Sequence, residues 1–417
     1  MCELLAPAGS LEKLKVAVRY GADAVYLGEK RFSLRAKADN FSRDQIVQAV
    51  EYCRSRNVKT YVTVNIFPRN RDLSEIREFL GFLSEISPSG IIVSDPGIIS
   101  MSMEIAPELS IHISTQANVT NVEAARFWQS QGASRINLAR ELGRDEIREI
   151  RQGLSCELEV FVHGALCISW SGRCLLSLYM TGRDANQGAC AHPCRYGYQL
   201  LEEKRPGELF PVEEDSRGTY IFSSRDLCLI RRIGELHAMG VDALKIEGRT
   251  KGLLYLSTVV RAYRAAMDSV KEMVNVGKCA EWQPSPRVIS ELELAGARGY
   301  TENFYLHSPG DGDMCYSGLN VRQEYLPAAL SISSGTAPEV VALHQLRPGD
   351  VVEYMDSALN NPLLSIKRIL DENGTALSRT LGGERVVLEF DQEIETESYS
   401  MFRRKNPFQR EQEKSIF

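Results

Sequence analysis

The chain has 417 residues, with 49 Lys and Arg against 55 Asp and Glu and a formal net charge of −6. That length supports two or three domains and a sizeable core, and an apolar fraction of 43% with 25% charged residues is ordinary for a soluble globular protein. The acidity excludes bulk electrostatic attraction to nucleic acid and leaves that role to a local basic groove.

No apolar run approaches the roughly 18 residues that a membrane span needs. Met1-Cys2-Glu3-Leu4-Leu5-Ala6-Pro7 lacks the basic start and long apolar stretch of a signal peptide. A cytoplasmic protein without membrane contact is therefore expected. In that compartment its ten cysteines are thiols or ligands rather than disulfides.

Short apolar runs alternate with helical patterns through the first half. The sequence predicts strands at Glu3–Ala6, Ala24–Gly28, Thr60–Ile66, Gly90–Ser94, Ser110–Ser114, Arg135–Leu138 and Glu157–Val162, with an eighth at Ala243–Glu247. Helices fit between them at Leu11–Tyr20, Arg43–Arg56, Leu73–Ile86, Val122–Gln131 and Arg144–Gln152. Ser10 and Ser42 stand as caps, and Gly21, Asn57, Gly132 and Gly240 stand where the chain must change direction. Such alternation implies a parallel sheet. Eight strands before residue 250 fit a TIM-like (β/α)8 barrel better than an open doubly wound sheet. About 80 residues separate the last two strands, so a cysteine-rich insertion is expected at about 164–227.

Beyond Gly248 a helical pattern runs through Tyr255–Val274. A linker follows at Gln283-Pro284-Ser285-Pro286, then a helix at Arg287–Ala297. From about Gly312 the texture changes to short β-like runs with turn signals, among them Pro348-Gly349-Asp350, Asn373-Gly374 and Gly382-Gly383. A small C-terminal β-barrel is expected there. The expected domains are the (β/α)8 unit at 1–310 and the β domain at 311–417.

The insertion opens with His163-Gly164-Ala165-Leu166-Cys167 and continues through Ser171-Gly172-Arg173-Cys174 to Cys190-Ala191-His192-Pro193-Cys194. The pattern is C-x6-C-x15-C-x3-C. Thiolates are soft ligands suited to iron–sulfur clusters or zinc. Zinc sites usually pair cysteines two to four residues apart, which only Cys190 and Cys194 satisfy, so the wide gaps favour a cluster held by a wrapped loop. The bland alternative is a chance cluster of small buried residues. Cys228, in Ser224-Arg225-Asp226-Leu227-Cys228, is a fifth candidate ligand or a core thiol. Cys2, Cys53, Cys156, Cys279 and Cys315 are scattered and read as structural.

Catalytic groups of such a barrel sit at the C-terminal ends of its strands. Those ends supply Asn65, Asp95, His112, Gln116, Arg140, Glu141, His163, Lys245, Glu247 and Arg249. His112 and His163 suit acid–base work, and Arg140 and Arg249 suit bidentate pairing with carboxylates. His112, His163, Arg140 and Glu247 are the candidate catalytic residues. Asn65, Gln116, Glu141, Lys245 and Arg249 are the candidate binding residues for an anionic, hydroxylated small molecule. Taken singly, each could equally be a strand-end hydrogen-bonder. No H-E-x-x-H, G-x-S-x-G or G-x-x-x-x-G-K-[ST] motif is present, which disfavours a standard metalloprotease, α/β-hydrolase or P-loop enzyme.

Four segments carry a family resemblance: Glu3-Leu4-Leu5-Ala6-Pro7-Ala8-Gly9, Asp23-Ala24-Val25-Tyr26-Leu27-Gly28, the Cys167–Cys194 block and Leu244-Lys245-Ile246-Glu247-Gly248-Arg249. Together they resemble the collagenase-like peptidase family of unknown catalytic type, and within it the tRNA hydroxylation protein P subgroup. The resemblance implies a [4Fe–4S] cluster on Cys167, Cys174, Cys190 and Cys194, with Cys228 competing for Cys190's place. It also implies oxygen-independent hydroxylation of the wobble uridine of tRNA to 5-hydroxyuridine, with prephenate as co-substrate. A partner subunit of the same family is compatible with it. A collagenase-like peptidase and a cluster-bearing scaffold for RNA modification are the alternatives. RNA contact would come from a local patch such as Arg403-Arg404-Lys405 near Phe402 and Phe408.

Overall fold

The structure, a computed structural model, describes residues 2–34, 40–167, 170–195, 213–215, 218–220, 224–274, 277–296, 299–308, 311–313 and 324–406. Cys315 and Phe408 lie outside the described residues, and the domain boundary expected at 310/311 falls beside undescribed segments.

Eight parallel strands close into a barrel. They are β1 (Glu3–Pro7), β2 (Ala24–Gly28), β3 (Lys59–Val64), β4 (Gly90–Val93), β5 (Ile111–Ile113), β6 (Arg135–Asn137), β7 (Glu157–Gly164) and β8 (Ala243–Ile246). Neighbours in sequence are neighbours in the sheet, and β8 pairs with both β7 and β1 to complete the ring. The outer layer is α1 (Leu11–Arg19), α2 (Arg43–Arg54), α3 (Leu73–Ile86), α4 (Pro96–Ile105), α5 (Val122–Ser130) and α6 (Arg144–Gln152), followed by α7 (Leu176–Thr181) and α8 (Ile233–Ala238) in the long β7–β8 connection, and then α9 (Leu253–Val274) and α10 (Pro286–Ala295). Local chemistry sets the helix starts. Ser42 and Gln45 form a reciprocal capping box on α2, and Asp95 accepts from the backbone N–H of Gly97 and Ile98 at the start of α4. The sequence gives Asp95 as a mouth residue, but those bonds make it a cap.

The barrel lumen is polar to an unusual degree, since such interiors are commonly layered with branched aliphatics. Arg135 donates to Glu3 at 2.6 Å and lies 3.3 Å from Glu159, and the Lys245 ammonium donates to Glu159 at 2.7 Å. Tyr61 donates to Glu3 at 3.0 Å. Above this layer Leu5, Ala24, Tyr26, Tyr61 and Ile92 form a small apolar plug. Two-residue alternation along each strand sends these side chains inward and sends Leu4, Val25, Val62 and Ile91 out to the helices.

Six antiparallel strands form a second closed barrel: β9 (Tyr325–Ser331), β10 (Glu339–Ala342), β11 (Val351–Tyr354), β12 (Leu363–Leu370), β13 (Arg385–Phe390) and β14 (Met401–Lys405), in the order β9-β10-β13-β12-β11-β14. It docks on α1, α9 and α10. The Tyr20 hydroxyl donates to the Met355 carbonyl at 2.8 Å and accepts from the Met401 N–H at 2.9 Å. Glu291 of α10 accepts from the guanidinium groups of Arg261 and Arg403, and Arg403 also donates to Glu353. This corrects the expected RNA patch. Arg403 and Phe402 are buried in the domain interface and β-barrel core, and Arg404 is half-buried on the Gln345 carbonyl.

Candidate active site at the barrel mouth

The C-terminal ends of the strands converge on a small cavity lined by Asn65, Gln116, Asn137, Arg140, Glu247 and Arg249 over Tyr26, Ile92 and Phe161. Its open space is about 40 Å³, room for about three water molecules. Asn65 donates to the Ser114 hydroxyl at 3.2 Å and accepts from the Leu34 N–H at 3.3 Å, which ties the β2–α2 loop to the rim.

Arg249 is the clamp of that loop. It is buried and donates to the hydroxyls of Ser33 (2.6 Å) and Thr63 (3.1 Å) and to the Leu34 carbonyl. Two glycines make room for it. A Cβ at Gly28 would stand 2.6 Å from an Arg249 guanidinium nitrogen, and one at Gly9 would stand 2.1 Å from the Arg249 carbonyl oxygen. Close backbone approach explains glycine at both positions. Lys245 also lies at the cavity, and its ammonium is engaged by Glu159 beneath it. It rests 4.6 Å from the Tyr26 ring centroid and 5.3 Å from that of Phe161. Glu247 lines the cavity, and its backbone carbonyl accepts from Tyr255.

The two histidines leave the mouth. His112 points into the lumen below it, its ring tilted against that of Tyr61 with centroids 4.4 Å apart, and with Nδ1 buried and unpartnered. Burial, reinforced by Arg135 and Lys245, holds its pKa well below the ordinary imidazole value. His163 is turned by a β-bulge. The β8 register passes from Lys245↔Phe161 to Ile246↔His163, so β7 carries one extra residue there. A bulge re-aims the side chain that follows it. His163 therefore packs among Tyr255, Tyr263 and Tyr300 at 6.0, 5.4 and 5.1 Å, and burial pushes its pKa down to about 3. Neither ring nitrogen has a hydrogen-bond partner. The sequence expectation of two acid–base histidines at the mouth is corrected on placement.

Arg140 joins the mouth to the cysteine block. Its guanidinium lies over Phe161 at 5.1 Å, donates to the Ala165 carbonyl at 2.7 Å and stands 3.7 Å from the Cys167 sulfur. Glu141 pins the same loop by accepting from the Ser171 N–H at 2.8 Å and from its hydroxyl. Gly172 lies so close to the Gln116 carbonyl that a Cβ would meet it at 2.3 Å. The block thus sits on the β5 and β6 loops. None of these three links carries a sequence signal beyond the residue types themselves.

The block's four cysteines differ from the core cysteines. Cys167 is exposed, and Cys174, Cys190 and Cys194 are half-buried. Cys2 and Cys53 are buried, and burial pushes their thiols up to about 12 and about 11. Cys228 is buried against Tyr263. Its short strand, Asp226–Cys228, pairs antiparallel with His163–Gly164 at the root of the block, which keeps it a candidate ligand. Among the described residues no three His, Cys, Asp or Glu side chains close on one point. What fits an iron–sulfur cluster is the donor set, soft thiols held outside the core beside a guanidinium.

A sequence model of peptidase family U32 matches residues 9–314. The chain is 38% identical over 379 residues to tRNA hydroxylation protein P1 of Bacillus subtilis, covering 90% of this chain and 88% of that one. It is 35% identical to tRNA hydroxylation protein P of Escherichia coli, covering 94% of each. A collagenase of Porphyromonas gingivalis is 38% identical, over 73% of each chain.

Proposed function

The chain belongs to peptidase family U32, and on that footing we propose that it is a tRNA-modifying hydroxylase rather than a peptidase. The similarity to the two tRNA hydroxylation proteins runs through both barrels, whereas that to the collagenase covers 73% of the chain. That similarity over both barrels is the observation that carries the proposal; Arg140, which touches the mouth at Phe161 and the block at Cys167, supports treating the two as one site.

The proposed reaction converts a wobble uridine to 5-hydroxyuridine with prephenate as co-substrate. Prephenate carries two carboxylates, and the mouth must answer them. Lys245 is held by Glu159, and Arg249 is built into the loop clamp. Arg140 is the half-exposed cation of the three and would take a carboxylate through its guanidinium. Asn65, Gln116 and Asn137 would orient hydroxyl and carbonyl groups, and Glu247 would set the polarity of the opposite wall. The cavity, with about 40 Å³ of open space, is smaller than either substrate, so both would extend beyond it onto the rim. The target uridine would enter flipped out of its stack. Cys167, Cys174 and Cys194, with Cys190 or Cys228, would hold an iron–sulfur cluster. When bound, such a cluster supplies one-electron or Lewis-acid chemistry beside the mouth. The Arg140 guanidinium would stabilise thiolate charge at Cys167. A tRNA substrate places the work in the cytoplasm, and no helix among the described residues is long and apolar enough to cross a membrane.

A peptidase reading would rest on Cys190, whose sulfur lies 3.9 Å from Nδ1 of His192. That pair is within hydrogen-bond reach for sulfur, but Cys190 belongs to the cysteine block, where it is also a candidate cluster ligand. Three experiments separate the readings. Mass spectrometry of tRNA nucleosides from a deletion strain should show loss of 5-hydroxyuridine. Unchanged levels without a second pathway would sink the hydroxylase. Anaerobic purification with iron and sulfide analysis should find both elements, and zinc alone would refute the cluster. Gelatin cleavage abolished by Cys190→Ser would favour the peptidase.

A further inference from the structure

We propose that the rim above the mouth is a stacking platform for single-stranded RNA, with Phe67, Trp170 and Tyr179 receiving bases and Arg69, Arg71 and Arg173 receiving phosphates. The proposal rests on the RNA-modifying reading above and supplies the surface that reading lacks once Arg403 is buried.

The helix α7 carries its residues inside out. It buries Ser177, whose hydroxyl donates to the Arg183 carbonyl and accepts from the Ala191 N–H, and it exposes its large side chains. Tyr179 is 89% exposed, and Leu175, just before the helix, is 64% exposed. Leu178 and Met180 are also exposed, and Trp170, in the preceding turn, is 54% exposed. Contiguous large apolar groups on a surface mark a binding site. The segment is held firmly, since Ser171 is pinned by Glu141 and Gly172 lies against Gln116. Across the rim, exposed Phe67 is tethered at both backbone polar atoms. Its N–H donates to the Asn186 carbonyl at 3.1 Å, and its carbonyl accepts from the Gln187 side chain.

Charge selects the partner. Arg69, Arg71 and Arg173 are exposed on this rim. Their near acids are loose: Arg69 lies 3.9 Å from Asp184, and Arg71 lies 3.7 Å from Asp72. Aromatic faces interleaved with arginine are the chemistry of single-stranded nucleic acid binding, where bases stack and guanidiniums follow the backbone. A duplex hides its base faces. The platform is continuous with the mouth through Gln116, Glu141 and Arg140, so nucleotides stacked on it would present a neighbour to the cavity.

The test is fluorescence anisotropy with an unmodified tRNA anticodon stem-loop and with its stem duplex alone, using full-length protein. Tyr179→Ala and Trp170→Ala should each weaken stem-loop binding about 5- to 150-fold, without change in melting temperature or iron content. Arg71→Ala should reduce the slope of log K against log salt by about 0.7. Stem-duplex binding should be weaker in the parent and insensitive to both aromatic changes. Stem-loop binding by the parent with equal affinity in both aromatic variants would overturn the platform and leave the RNA reading standing. No RNA binding by the parent would overturn both. Altered oligomeric state in Tyr179→Ala with RNA affinity unchanged would also overturn it and assign the patch to a protein partner.

Discussion

Glu159 is the keystone of the polar lumen, and its replacement by Gln is the sharpest test of how the barrel is held. Its carboxylate accepts from Lys245 at 2.7 Å and lies 3.3 Å from Arg135, and all three side chains are nearly inaccessible to water. Glu159→Gln keeps the shape and removes the charge. Arg135 keeps Glu3 and Glu157, but Lys245 loses the carboxylate it donates to. Breaking a buried ion pair from one side costs about 3–5 kcal/mol, because the remaining charge is stranded. A unit of roughly 300 residues, at about 2.1 cal/mol/K per residue, unfolds with an entropy of about 0.6 kcal/mol/K. The expected loss is therefore about 5–8 °C in Tm. Lys245→Met should cost less, since Glu159 then retains Arg135, and the double variant should melt near Lys245→Met rather than at the sum. Calorimetry of the four proteins at neutral pH reads this directly. A Glu159→Gln protein melting within about 2 °C of the parent, or a double variant at the additive sum, would refute the coupling.

His163 stays neutral in the fold, with its pKa held at about 3 by burial. The unfolded chain takes up this proton near pH 6.5, so the stabilisation is complete above that and falls away as pH drops towards 3. Between pH 7.5 and 5 the parent should lose about 2 kcal/mol that His163→Phe does not lose, read from urea midpoints; equal acid sensitivity would contradict this. In a brief iodoacetamide pulse on metal-free protein, peptide mapping should find Cys167 modified first and Cys2 and Cys53 last. Equal labelling of Cys53 and Cys167 would place Cys53 outside the core. Glu291→Gln takes the paired carboxylate from the buried Arg261 at the domain interface and leaves Arg403 with that of Glu353. It should cost about 3–5 kcal/mol and divide the calorimetric transition in two, whereas a single unshifted transition would show that the network is dispensable.

The eight barrel strands are legible in the sequence to within a residue or two, because buried parallel strands are short, apolar and separated by capped helices. The C-terminal barrel is legible from its turns. α4 is harder to see. Ile98, Ile99, Met101 and Ser102 are all buried, so no polar face announces a helix. The clue was Asp95-Pro96, a cap followed by proline at the first turn, where Asp95 reads instead as a strand-end ligand. The mouth is legible as a set through Asn65, Gln116, Arg140, Glu247 and Arg249. Which members face it is not. A single extra residue in β7 sends His163 outward, and alternation alone would have sent it in. Lys245 points correctly, yet its partner Glu159 lies on a neighbouring strand 86 residues away in sequence. Pairings of that kind belong to the closed ring and not to any one segment.

The claim that mouth and cysteine block form one site rests on Arg140 and can be measured in cells. A deletion strain should be complemented in parallel with the parent gene and with Arg140→Ala, with matched protein level and iron content, and its tRNA digested for nucleoside mass spectrometry. The parent should restore 5-hydroxyuridine, and Arg140→Ala should leave it at the level of the deletion strain. Full restoration by Arg140→Ala would contradict the single site.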